Sequence, residues 1–241
     1  MSLGNLCFVT MLATIVAFPA VNKVEVEVRQ SDTRTANSLR LQITPQVVPA
    51  QSNDPRDLGA GKLLVASREL ADPSFAKTVI LLVHYDDTSV VGLMLNRRTE
   101  LPISKVFAQI KGAKDISDPV YLGGPVEVPT VFALQRSTDK MDGAEHVFGT
   151  VYWISAKTAL EKAVSSRLDP GAFHVYLGYA GWTPEQLRNE VRLGGWFIFQ
   201  ADNRTIFSAN PDSLWRQMIK KTELKMTGEP HRAEALRVAT R

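Results

Sequence analysis

Ser74 and His84 come closest to a nucleophile and its base in this sequence. Ser74 sits in Asp72-Pro73-Ser74-Phe75, and His84 closes an apolar run about one strand away. A nucleophilic serine is expected on a strained elbow of the type G-x-S-x-G, and no such motif occurs. Asp and Ser are also common turn formers, because their side chains bond local backbone groups. The turn reading is therefore preferred and no catalytic residue is assigned. A hydrolase-like site around Ser74 and His84 stands as the enzymatic alternative. Metal chemistry needs converging ligands. The four histidines, His84, His146, His174 and His231, are scattered singly, with no H-x-x-x-H or H-E-x-x-H. Cys7 is the one cysteine, so neither a disulfide within the chain nor a Cys-based site can form. No metal or cofactor is implied. His174 alternates with Phe173 and Val175, which places it on the polar face of its strand.

Two glycine-rich passages offer recognition rather than bond-breaking chemistry. Leu122-Gly123-Gly124-Pro125 could turn backbone N–H groups toward an anion. A nucleotide loop needs more, and neither G-x-x-x-x-G-K-[ST] nor G-x-G-x-x-G is present. Close packing and unusual backbone angles are the better-supported reading of these glycines. Gly178-Tyr179-Ala180-Gly181-Trp182 reads as a tight strand-to-helix passage with aromatic anchors. Trp182, Gln186 and Glu190 then fall near one another at the start of a helix, with 186 and 190 on one face. Asn96 ends a strand of its own. The candidate ligand- or partner-binding set is thus Asn96, Gly123, Gly124, Pro125, Gly181, Trp182, Gln186 and Glu190.

The elements that must position these residues follow from periodicity and punctuation. Residues 61–66 read as a buried strand, and Asp72-Pro73 as a turn, since the residue before proline is pushed away from helix. The run 78–84 is continuously apolar, so both its faces should be covered. A turn at 86–89 and a returning strand at 90–96 make a hairpin. Residues 102–111 put Ile103, Val106, Phe107 and Ile110 on one helical face, stopped by Gly112. Strands are predicted at 120–122, 131–135 and 147–153. A helix capped by Ser155 carries Ala156, Ala159, Leu160, Ala163 and Val164 on one side. A strand at 173–179 precedes Thr183-Pro184-Glu185-Gln186. There Thr caps, Pro fills the first helical position, and Gln reaches back to the cap. That helix ends at Gly194-Gly195. A strand at 196–201 follows, and Asn210-Pro211 opens a last helix burying Leu214, Trp215, Met218 and Ile219. Hairpins mix with strand–helix–strand passages in no regular alternation, which argues for α+β over a doubly wound parallel sheet.

Asp72-Pro73-Ser74-Phe75, Gly92-Leu93-Met94-Leu95-Asn96 and the two glycine passages together resemble the YqgE/AlgH family. The resemblance spans about residues 59–225. It implies a single α+β domain: a bent, bifurcated, mostly antiparallel sheet rolled toward a pseudo-barrel with flanking helices. It implies no defined reaction. Some members are labelled transcriptional regulators of exopolysaccharide production, and most look cytoplasmic.

Composition supports an ordinary globular protein, with 44% hydrophobic and 22% charged residues in 241. The net charge of +3 is carried by residues 216–241, while residues 1–57 and 58–215 are close to balanced. A nucleic-acid surface shows as a basic stripe on the folded body, so the distribution argues against nucleic acid and for a solvated basic tail at 226–241. DNA binding through that tail, as in a transcriptional regulator, is kept as an alternative. Residues 1–22 are uncharged, with an apolar heart at 6–20. That length suits a secretory signal peptide and is short for a membrane span. A retained membrane anchor and a misassigned start codon are the alternatives. A signal peptide would place the protein in the periplasm or outside the cell. Residues 23–57 read as a poorly ordered linker with a short strand at 23–28, and 58–225 as the family domain. The functional reading is a non-catalytic regulatory or binding protein with a protein or small-molecule partner.

Overall fold

The computed structural model describes residues 51–166 and 169–227. The apolar N-terminal segment, the strand at 23–28 and most of the basic tail lie outside the described residues. Residues 51–57, read as the end of the linker, are built into the fold. β1 (Gln51–Ser52) adds a short edge to the sheet, and Pro55–Asp57 form a 3-10 turn capped by Asp54. β2 (Lys62–Ala66), β3 (Val79–Tyr85) and β4 (Val90–Met94) follow as a meander. β5 (Arg98–Pro102) leads into one helical turn, α1 (Ile103–Val106), and then β6 (Pro119–Leu122). β7 (Val126–Arg136), β8 (Glu145–Phe148) and β9 (Val151–Ile154) form the second half of the sheet. The chain continues through α2 (Lys157–Ser165), β10 (Phe173–Trp182), α3 (Pro184–Arg192), β11 (Trp196–Gln200), α4 (Asn203–Ile206) and α5 (Leu214–Thr227).

β10 is the strand on which the sheet divides. One of its edges pairs with β7 from Phe173 to Tyr179. Its other edge meets two partners in turn: Tyr176 and Leu177 lie parallel to β6, and Ala180 to Trp182 lie antiparallel to β4. The remaining ladders are antiparallel, in the order β1-β11-β2-β3-β4-β10-β7-β9-β8, with β5 and β6 on the branch. The fold is α+β, with the bent, bifurcated sheet that the resemblance implies. The sheet curls without closing. Gly61 packs on Phe148, and Asn203 Nδ2 donates to Thr150 Oγ1 at 3.1 Å, yet β1 and β8 share no ladder.

Two cores hold this arrangement. The larger contains β2, β3 and β4, with Leu63 to Ala66 and Val79 to Leu82 fully buried. Both faces of these strands are covered, which is why their sequences are apolar without alternation. The smaller core packs Ile103, Leu160 and Val164 onto Ala133, Ile154 and Val175.

Several predicted elements change length. The helix expected over 102–111 is a single turn. It ends at Phe107, whose backbone leaves the helical region (φ −109°, ψ 38°); at its start the carbonyls of Asp118 and Ile116 bind the N–H groups of Ile103 and Ser104 in place of a capping side chain. Its apolar face is still used: Val106, Phe107 and Ile110 pack against the smaller core. The strand expected at 147–153 is a hairpin, reversing at Gly149 (φ +49°) and Thr150. Ser155 does not cap α2; the N-cap is Ala156, with no side-chain bond. Thr183 does cap α3, accepting from the Gln186 N–H, with Pro184 in the first turn. The Gln186 side chain points to Glu190 instead of back to the cap. His174 is buried at 9% exposure instead of facing solvent. It stacks on Tyr121 with ring centroids 4.8 Å apart, because both faces of β10 are covered at this point.

Candidate functional site

Four sequence motifs far apart in the chain meet where the sheet branches. Gly123 donates its N–H to the Leu177 carbonyl and accepts from Met94, so it sits between β10 and the end of β4. A Cβ on Gly123 would lie 2.2 Å from the Gly178 carbonyl oxygen, and one on Gly124 would lie 2.1 Å from the Tyr179 carbonyl carbon. Gly178 has φ +65°, a left-handed conformation that glycine adopts without a Cβ clash, at the register shift in β10. The two glycine passages are therefore one backbone-to-backbone joint. Pro125 leaves the joint at the surface, and Gly181 continues the ladder opposite Val91.

Asn96 fixes the Asp72-Pro73-Ser74-Phe75 turn to this joint. Its Oδ1 accepts from the Val79 N–H at 2.8 Å, and its Nδ2 donates to the Lys77 carbonyl at 2.9 Å. Arg97 adds a bond to the Ala76 carbonyl at 3.0 Å. Within the turn, Asp72 Oδ1 accepts from the Ser74 N–H, and Phe75 is directed inward. The Phe75 ring lies 5.5 Å from Trp182 and 5.9 Å from Trp196, and the two indoles are themselves 6.2 Å apart.

Glu190 ties the indoles to α3. Its Oε2 accepts from Trp182 Nε1 at 3.1 Å and from Trp196 Nε1 at 2.8 Å, while its Oε1 accepts from Gln186 Nε2 at 3.0 Å. Indole N–H groups need an acceptor when buried, and one carboxylate serves both. Trp182, Gln186 and Glu190 are thus brought together, as the spacing predicts. Trp196 completes the cluster and was not among the candidates; only its place in an apolar run marks it in the sequence.

Ser74 and His84 are not brought together. Ser74 is exposed in its turn, and His84 Nε2 pairs with Asp86 Oδ2 at 2.8 Å. No hydrogen bond joins the two. Asp86 is in turn held well below the usual carboxylate range by hydrogen bonds from Thr88, Ser89 and His84. Among the described residues no group of three or more His, Cys, Asp or Glu is placed to hold a metal ion.

The model of a family described as AlgH-like matches residues 63–227. The chain belongs to the AlgH-like family. Relatives include a UPF0301 protein from Chlorobium phaeobacteroides, 32% identical over 169 residues, covering 70% of this chain and 89% of that protein. A UPF0301 protein from Streptomyces avermitilis is 30% identical over 170 residues, covering 67% and 85%. The solution structure of AlgH from Pseudomonas aeruginosa superposes with a TM-score of 0.55 at 28% identity, over 68% of this chain and 87% of that one. A crystal structure of a Corynebacterium diphtheriae protein gives 0.59 at 19% identity, over 68% and 88%, and is similar in fold. The motif joint lies wholly inside the AlgH-like segment.

A second feature of this AlgH-like domain was not legible in the sequence. The flank of α3 opposite Glu190 carries Arg188 and Arg192, one helical turn apart. They line a groove of about 530 Å³ together with Tyr85 and residues of the Pro55–Asp57 turn. Its members come from three distant segments, so no local pattern announces it. Among the described residues no helix is long and apolar enough to cross a membrane.

Proposed function

We propose that this chain is a non-catalytic binding protein whose recognition surface surrounds α3. The observation that carries this reading is the state of Glu190. It is the carboxylate best placed for proton chemistry at the candidate site, and three side-chain donors occupy it. A general base must be within reach of a substrate proton and able to accept it. A proton taken up at Glu190 would join three bonded donors on about four lone-pair sites and weaken its hold on the indoles. Asn96 is likewise committed, with both carboxamide atoms bonded to backbone. Gly123 spends its N–H inside the sheet, which leaves it unavailable to an anion. These residues make a rigid platform, and α3 is the element that the platform presents. A regulatory role follows if occupancy of that surface changes what the protein meets next.

The test is a panel of carboxylic and phosphoric esters incubated with the full chain. No turnover is expected above that of the Ser74→Ala variant. Turnover in the parent that disappears in Ser74→Ala, with unchanged melting behaviour, would favour the hydrolase alternative.

A further inference from the structure

The groove beside α3 has the chemistry of an oxyanion site. Arg188 and Arg192 project from one helical flank, and Arg56 faces them from the 3-10 turn. Asp54 is the carboxylate among the lining residues, and it is already occupied by Arg56. That pairing, chiefly the Arg56 side-chain bonds, holds the Asp54 carboxyl down to about 2, so it stays ionised at neutral pH. Asp57 acts on Arg56 from outside the groove. Three guanidinium groups against Asp54 in the groove and Asp57 beside it leave one uncompensated positive charge.

The remaining donors are oriented but not saturated. Arg188 Nη1 donates to the Tyr85 hydroxyl at 3.3 Å. The phenol oxygen acts there as acceptor, which leaves its own O–H to donate elsewhere. Arg192 Nη1 donates to Asn189 Oδ1, which steadies the side chain while its other N–H groups remain. Guanidinium forks match carboxylate and phosphate oxygens two at a time. Pro55, Leu58 and the Tyr85 ring supply an apolar wall beside the charges. At about 530 Å³ the groove falls in the range of small-molecule sites, roughly 300–1,000 Å³.

We propose that this groove binds a small phosphate-bearing molecule, the dianionic phosphate set among Arg56, Arg188 and Arg192, with an apolar or aromatic body against Tyr85 and Leu58. This rests on the non-catalytic reading above and names its ligand class. The shared chemistry is the phosphate, and inorganic phosphate is the other source of it.

Titration calorimetry of the full chain at low salt, with phenyl phosphate and with inorganic phosphate, tests the proposal. Saturable binding of phenyl phosphate is expected, weakened at least about tenfold in the Arg188→Ala/Arg192→Ala double variant, as for loss of charge-assisted bonds. Arg188→Lys keeps the charge and removes the fork, and it should also weaken binding. Tighter binding of phenyl phosphate than of inorganic phosphate supports the apolar wall; equal binding overturns that half and makes free phosphate the ligand. No binding by the parent at millimolar concentration overturns the proposal, as does undiminished binding by the folded double variant. Phenol release during the titration would overturn the non-catalytic reading while supporting occupancy of the groove, so the two failures are distinguishable.

Discussion

Glu190 and His174 show how much single side chains in this fold are asked to do. Glu190→Ala removes the acceptor shared by Trp182 and Trp196. A buried donor left unpaired costs about 1–3 kcal/mol, so a loss of about 2–4 kcal/mol is expected in urea unfolding followed by tryptophan fluorescence. Glu190→Gln keeps one carbonyl oxygen for the indoles and should cost about 1 kcal/mol or less, on the scale of one net hydrogen bond. His174 makes a pH-dependent contribution. Burial lowers its pKa from 6.5 to about 4 in the folded chain. Above pH 6.5 it is neutral in both states and its contribution is fully present. As pH falls from 6.5 toward 4, the unfolded chain takes up a proton that the folded chain refuses, and stability drops by about 3 kcal/mol. Below that window the contribution is flat. Unfolding midpoints at pH 7 and pH 4.5 should converge in His174→Gln compared with the parent. The alternation of His174 with Phe173 and Val175 pointed the wrong way because period two assigns faces, and both faces of β10 are covered here.

At the scale of elements, the branch of the sheet depends on two chains passing closer than any Cβ permits. Gly124→Ala places a methyl group 2.1 Å from the Tyr179 backbone, and Gly178→Ala adds a Cβ at φ +65°, 2.7 Å from the Gly124 carbonyl oxygen. Backbone cannot yield as a flexible side chain does. Each variant is therefore expected to lose more than about 3 kcal/mol, at the upper end for overpacking, measured as a fall in the denaturant midpoint. The glycine motifs, the Thr183-Pro184 cap and the buried runs at β2 and β3 were legible because each is a local signal. That the motifs touch was not legible, since contact between Gly124 and Tyr179 is a property of the sheet and not of either segment. The one-turn length of α1 was hidden as well, because its apolar period runs on past Phe107, where the backbone leaves helical angles. So was the groove, whose arginines belong to a turn and a helix 132 positions apart, Arg56 and Arg188.

For the whole molecule, α3 joins a structural side to the side proposed for recognition. Its Gln186–Glu190 flank grips the indoles that pack on the Phe75 ring, and its Arg188–Arg192 flank lines the groove. A ligand that binds the folded state alone raises stability by about 2.7 kcal/mol at a hundredfold excess over its dissociation constant. Saturating phenyl phosphate should accordingly raise the melting temperature of the full chain and fail to do so in Arg188→Ala/Arg192→Ala. The nearly balanced charge of residues 58–215 sets a further expectation. A groove with one excess charge is too small to act as a nucleic-acid stripe, so DNA retention by residues 1–227 should be weak at physiological salt. Salt-sensitive retention of the same strength with and without residues 228–241 would place DNA on the body instead.

The most direct measurement pairs unfolding free energy with phenyl phosphate affinity in two variants. Glu190→Ala should lose stability while the folded protein keeps the parent's affinity. Arg188→Ala/Arg192→Ala should lose no more than about 1–2 kcal/mol, for the bonds to Tyr85 and Asn189, and lose affinity. Equal loss of affinity in both variants, or parental affinity in the arginine variant, would contradict the division of α3 into a holding flank and a binding flank.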